Sequence, residues 1–525
     1  LAVLPQPEQD VRVPRAHPRA LYGLAANPAL PPDLVDRLID VADAELGGVL
    51  ADRPDLTHTQ AVALADRVEE AAVPLACAGR LTAADVDPVA RPHAALALLD
   101  AGSGDPEWAR RFVADPAVDH RERLGACPGL PPDVTEALAA DPDVRVVAEL
   151  ALWATPDLAA RLARHPHTEV RSAVAHNEAT PPEVLAMLLA GVGLPAARRC
   201  LVCDQKETPS VHDAHGRRPH GEPLPGDACD GSHQSAVLRL RARALGNPAT
   251  PTASVTGYAG HPSVLLRRQL ATRRDLPPGV GERLAADPAP GVRGDLAENP
   301  AIGEALMRVL ARDRDPGVRR SLALNPRVPL DVLTGLARTT RIGSILLPRI
   351  AAASPAEVEE RAASPEPAVR TLLAERRDMP AGVRDALALD PDAKVVKAVA
   401  PHPGLTGARL RAMVDDHGSR TAARVAANPD APAALLEDLV LREPPVRGVF
   451  REVARHRNAG ARALLACLVD ERARPVAAGH PALPVAALRE LLADDEDVAE
   501  AAAANPSLPP ALMRALLSRA NQAAA

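Results

Sequence analysis

Proline recurs after a small polar residue along the whole chain, and this punctuation constrains the fold more than any other feature. It appears as Asn27-Pro28, Asp141-Pro142, His165-Pro166, Asn247-Pro248, Asp287-Pro288, Asn299-Pro300, Asn325-Pro326, Asp390-Pro391, His402-Pro403, Asn428-Pro429, His480-Pro481 and Asn505-Pro506. Proline this frequent would remove ladder donors from every strand of a sheet, so β structure is hard to accommodate. A helix tolerates it at one place, the first turn, where the missing N–H would be unsatisfied anyway. Asp or Asn ahead of it can cap the first-turn amides. Asn can also sit left-handed at the end of the preceding helix, so each dipeptide is expected to start or separate helices.

Pro-Pro pairs at 31–32, 131–132, 181–182, 277–278 and 509–510 mark the start of a second helix in each unit. Like marks return about every 25 residues, inside the range of solenoid repeats. Helices of about 8–11 residues are too short to stand alone and must bury an Ala/Leu face against their neighbours. The expected fold is all-α, a right-handed α-solenoid of two-helix repeats. The spelling DPxxxVRxxLAxNPxLPPxxLxxLA, clearest at 141–189, 261–336, 364–389 and 480–517, resembles the leucine-rich repeat variant family, a bacterial, HEAT-like group. The resemblance covers most of 21–190 and 236–517, with degraded copies around 40–125 and 338–360. It implies a scaffold with no catalytic motif to transfer, alternating α- and 3₁₀-helices, and a metal-cluster module beside the repeats. The recurring Arg of Val-Arg (Arg145, Arg171, Arg293, Arg319, Arg370) is expected to form a ladder, pairing with the next unit's Asp or with helix-end carbonyls.

Composition removes several functions. The 525 residues include six aromatic rings, Tyr22, Trp108, Phe112, Trp153, Tyr258 and Phe450, too few to stack bases or sugars. A net charge of −7 from interspersed charges provides no global basic field for a phosphate backbone, so neither a nucleic-acid partner nor a HEAT-like DNA glycosylase is expected. No apolar run approaches the ~20 residues of a membrane span. Residues 1–10 carry no basic segment followed by an apolar stretch, and a cytoplasmic location is expected. Nucleophile elbows, zinc-protease motifs, Walker loops and Rossmann glycine triplets are all absent from the sequence.

One stretch breaks the rhythm. The second helix at 181–190 should be followed within a few residues by the next unit, yet recognisable repeat text resumes only at 235–248. The insertion, 191–235, gathers Cys200, Cys203, His212, His215, His220, Cys229 and His233. Cys200-x₂-Cys203 has knuckle spacing, and Cys229-x₃-His233 supplies a second pair, together a Cys₃His set suited to structural zinc. His212, His215 and His220 are alternative ligands. Residues 229–233 also match the CDGSH signature of an iron-sulfur family in which three Cys and a His hold a two-iron cluster. That family's upstream Cys positions and the Pro before its last Cys are Arg218, His220 and Asp227 here. Zinc is the leading expectation and an iron-sulfur centre the alternative. Cys77, Cys127 and Cys467 lie in helical text and are expected to be core residues.

The expected organisation is an N-terminal extension (1–20), helical repeats (21–190), the metal-binding insertion (191–235), further repeats (236–517) and a tail (518–525). The expected function is a noncatalytic scaffold binding other proteins, with partner contacts on the insertion at Asp204, Lys206, Glu207, Arg217 and Arg218. The alternative is a redox or metal-sensing protein.

Overall fold

A computed structural model describes residues 19–200 and 234–524. Among them there are 35 α-helices, two 3₁₀-helices and no strand, with a single isolated β-bridge. None of the helices is long and apolar enough to cross a membrane. The all-α repeat architecture is therefore as expected, but both helices of most units are α-helical: 3₁₀ turns occur only at Ala83–Asp85 and Thr256–Gly260 among the described residues. The Pro-Pro pairs work as expected. Pro31, Pro131 and Pro181 are extended (ψ 144°, 145° and 140°), and helices Pro32–Asp40, Pro132–Ala139 and Pro182–Ala190 begin at the second proline. Its ring presets the helical φ and has no N–H to leave unsatisfied.

The chain divides into two compact units, one comprising residues 86–352 and the other 1–85 with 353–525. In the first, the opening helices of successive repeats stack in one row: Pro92–Asp100, Val118–Ala126, Val144–Trp153, Thr168–His176, Gln234–Gly246, Val264–Ala271, Pro290–Glu298 and Pro316–Leu324. Leu266, Val292, Leu296, Val318 and Leu322 are fully buried along it. In the other unit the row runs from Pro367–Ala374 through Glu496–Ala503, and the N-terminal helix Ala20–Ala26 packs on Glu496–Ala503 as the next member. Asn27 donates to the carbonyls of Ala503 and Asn505, both at 2.8 Å. Gly23 makes this approach feasible, since a Cβ there would lie 1.9 Å from the Glu500 carbonyl oxygen. Helix Pro510–Ala524 continues past Leu517.

The prolines punctuate two different turns. After several of the opening helices, a buried Asn donates to two carbonyls of the previous unit: Asn325 to Ala297 and Asn299 (2.9 and 2.8 Å), Asn299 to Ala271 and Arg273 (2.8 and 2.6 Å), Asn428 to Ala400 and His402 (both 2.6 Å). Its Oδ1 accepts the amide two residues on, closing an Asx turn. These asparagines are extended, with φ near −66° and ψ 119–122° at Asn299 and Asn325, rather than left-handed, because the following proline excludes helical geometry. His402, His456 and His480 fill the same slot through Nε2, and Arg53 and Arg273 fill it with a guanidinium.

The turn before many opening helices carries Asp or His, whose side chain accepts from the amide two residues on, as at Asp287 and His261; Ser364 does the same before Pro367–Ala374. Here the expected arginine ladder forms. Arg121, Arg267, Arg293 and Arg370 pair with Asp141, Asp287, Asp313 and Asp390 of the next unit at 2.7, 2.6, 2.6 and 2.5 Å. Each also donates to the carbonyl six residues behind it. Arg319 and Arg171 make the carbonyl contact too. Arg145 is off this register: it lies two residues early, half-exposed, against Asp143 and Glu122, and Val147 occupies the ladder position. Of the three repeat cysteines, Cys127 and Cys467 are buried as expected and Cys77 is exposed.

Candidate functional site

The insertion leaves the array without breaking it. Asn247, seventy residues after Asn177, still donates to the carbonyls of Ala175 (3.0 Å) and Asn177 (2.9 Å), the bonds that adjacent units make elsewhere. Helix Gln234–Gly246 packs directly on Thr168–His176, and the Tyr258 hydroxyl donates to the Leu189 carbonyl at 2.8 Å. The departure is built by two glycines with positive φ, Gly191 (71°) and Gly193 (83°), which turn the chain out of helix Pro182–Ala190. The segment then runs back to the turn before helix Thr168–His176. There Arg198 and Arg199 donate to the Pro166 carbonyl (2.8 and 3.2 Å), and Thr168 donates its amide to Arg199 (2.9 Å). Cys200 follows and is fully buried. It is the one member of the candidate ligand set that is described; Cys203, Cys229 and His233, the alternatives His212, His215 and His220, and the contact candidates Asp204 to Arg218 lie outside the described residues.

Where the chain re-enters the array, a groove of about 510 Å³ opens between helices Thr168–His176, Gln234–Gly246 and Val264–Ala271. Ala242 and Gly246, one turn apart, line it with little side-chain bulk; a Cβ at Gly246 would meet Gln269 Nε2 at 2.6 Å. Arg239 and Arg243 supply its cationic lining, His176 also lines it, and Glu178 is exposed at its edge. Arg239 reaches both carboxylate oxygens of Glu169 at 3.4 Å. Arg243, one turn further, is half-buried, and its guanidinium makes no hydrogen bond or salt bridge with any described residue. Burial pulls its guanidinium below the ordinary value; Glu169 offsets part of that and Arg239 adds to it. A desolvated guanidinium aimed into an open groove is ready to donate to a carboxylate. Sequence reasoning placed the site on the insertion and missed this groove, although three arginines at every second position (Arg239, Arg241, Arg243) stand out in an otherwise Ala/Leu helix.

No family model and no curated protein matches the chain. Among solved structures it is similar to a leucine-rich repeat variant with a novel repetitive structural motif, at 19% identity over 55% of this chain and 87% of that one, with a TM-score of 0.28. An engineered protein matches at 13% identity over 90% of this chain and 97% of that one (TM-score 0.15). Yeast importin-β (Kap95p) matches at 12% identity over 94% and 74% (TM-score 0.24). At TM-scores this low the matched chains carry no information about this one's partner.

Proposed function

We propose that the chain is a noncatalytic, cytoplasmic repeat scaffold that binds another protein through the groove at the insertion, seating an acidic side chain of the partner against Arg243. The half-buried, unpaired guanidinium in an open groove carries this reading. The buried arginines Arg53, Arg171, Arg267, Arg273 and Arg293 are each tied to an aspartate or a carbonyl, whereas the guanidinium of half-buried Arg243 has no hydrogen bond or ion pair with any described residue. The set Cys200, Cys203, Cys229 and His233 would hold one structural zinc that orders the insertion beside the groove, as its Cys₃His chemistry suits.

The test compares wild-type protein with Arg243→Glu and Arg243→Gln in quantitative pull-downs, followed by titration of the partner that wild-type retains. Charge reversal should weaken that partner at least 10-fold and Gln by less; full retention by Arg243→Glu would overturn the reading. Metal analysis should give one equivalent of zinc per chain fewer in Cys200→Ser than in wild type. Stoichiometric iron with a visible absorption band would replace zinc by an iron-sulfur centre.

A further inference from the structure

A second set of metal-type donors lies outside the insertion, on the opening helices of two successive repeats. His93 is the second residue of helix Pro92–Asp100, and Asp119 and His120 are in the first turn of helix Val118–Ala126. One donor atom from each of His93, Asp119 and His120 falls within 4.8 Å of the others. The two imidazoles meet edge to face, centroids 4.9 Å apart and planes at 78°. Both Nδ1 atoms are buried without a hydrogen-bond partner. His120 Nδ1 approaches Asp115 Oδ2 to 3.2 Å, but off the direction a ring N–H would need to donate.

The repeat itself shows that His120 is out of place. The residue before each ladder arginine is Val170, Leu266, Val292, Val318 or Val369, every one buried. Ahead of Arg121 the same position holds His120, whose side chain is 14% exposed. Stacking needs only an aliphatic group there, and an imidazole with a buried, unpartnered nitrogen weakens it. A substitution against the interest of the stack, facing a second orphaned imidazole and a carboxylate, is the arrangement expected of a ligand site.

We propose that His93, Asp119 and His120 bind one divalent ion of the zinc type, clipping two successive repeats together. Imidazole and carboxylate are suitable donors for such an ion. Tetrahedral coordination with bonds of about 2.0–2.1 Å puts ligand atoms roughly 3.4 Å apart, so the set must close by about 1 Å. Asp119, with 62% of its side chain exposed and its carboxylate 4.0 Å from His120 Nε2, has the freedom to swing in. His120 would then ligate through Nε2 while Nδ1 faces Asp115, the outer carboxylate that commonly orients a ligating imidazole. A water would fill the fourth position.

The test uses the full chain carrying Cys200→Ser, Cys203→Ser and Cys229→Ser, which silences the insertion's thiolates and lets the two metal readings fail separately. Zinc is titrated calorimetrically into metal-free protein, and the thermal midpoint is read with and without it. The expected result is one equivalent of zinc and a zinc-dependent rise in midpoint. His120→Val, which restores the residue the other repeats use, should lose both without lowering the metal-free midpoint. Asp115→Asn should bind zinc roughly 10-fold more weakly. Unchanged zinc stoichiometry in His120→Val, or no zinc uptake by the folded parent that lacks the insertion's thiols, would overturn the proposal.

Discussion

Replacing Asn299 by alanine tests the clamp on which the stack depends. The substitution removes two Nδ2 donations, to Ala271 at 2.8 Å and Arg273 at 2.6 Å, and the Oδ1 acceptance from the Ala301 amide at 2.9 Å. Asn299 is 4% exposed, so water cannot readily replace these partners. Three hydrogen bonds at a net of about 0.5–1.5 kcal/mol each, with buried groups left unpaired, put the loss at roughly 2–4 kcal/mol. Asn299→Asp should cost at least as much, because a carboxylate still accepts from Ala301 but faces two carbonyls with no proton to donate. Asn299→His should cost less than half as much, since His456 and His480 already perform both roles in this slot. Urea titration followed by far-UV circular dichroism measures all three. A loss below about 0.5 kcal/mol for alanine, or histidine no better than alanine, would refute the clamp.

The seam between the N-terminal helix and Glu496–Ala503 should open in Gly23→Val, because the new Cβ would overlap the Glu500 carbonyl; trypsin cleavage at Arg37 should accelerate, and an unchanged rate would contradict the packing. The Asp313 carboxyl is held below its ordinary value, chiefly by its hydrogen bond from Arg293. Its contribution is therefore present above the unfolded value of about 3.9 and lost as pH falls through the lower folded value. Asp313→Asn should accordingly be less stable than wild type at pH 7, with the gap closing below about pH 4; a gap independent of pH would contradict the ion pair. Burial pushes the Cys127 and Cys467 thiols up to about 12. Iodoacetamide at pH 8 should modify exposed Cys77 in the native protein and reach those two only in urea, as read by peptide mass spectrometry; native labelling of Cys467 would contradict its burial.

What the sequence made legible is what proline dictates locally. A fixed φ and a missing N–H act within two or three residues, so the helix starts at Pro32, Pro132 and Pro182 could be read directly. The two kinds of proline turn could not be separated that way. Asn299 and Asp287 carry the same signature, and they differ in what they meet one repeat away. The same blindness to partners misplaced Arg145, which shares the Val-Arg spelling but not the ladder position. Packing of helix Ala20–Ala26 on a helix 476 residues later leaves no local trace at all. The groove depends on three helices converging, although the Arg239, Arg241 and Arg243 spelling was visible. His120 was the clearest missed signal: it reads His-Arg where the other repeats read Val-Arg or Leu-Arg. For the insertion, the preserved frame follows from repeat text on both sides, whereas the anchoring of 198–200 on the Pro166 turn is a backbone contact that no residue type announces.

The central claim is that one side-chain clamp runs through the array and across the insertion, and Asn247→Ala tests it most directly when read by native-state hydrogen exchange. Because Asn247 donates to Ala175 and Asn177, loss of its amide should speed exchange in helix Thr168–His176 as well as in Gln234–Gly246, by roughly 30-fold or more for a loss of about 2 kcal/mol, with Asn247→His recovering most of the protection. Faster exchange confined to 234–250, with helix Thr168–His176 unchanged, would show that the insertion separates two independent arrays and would contradict the account.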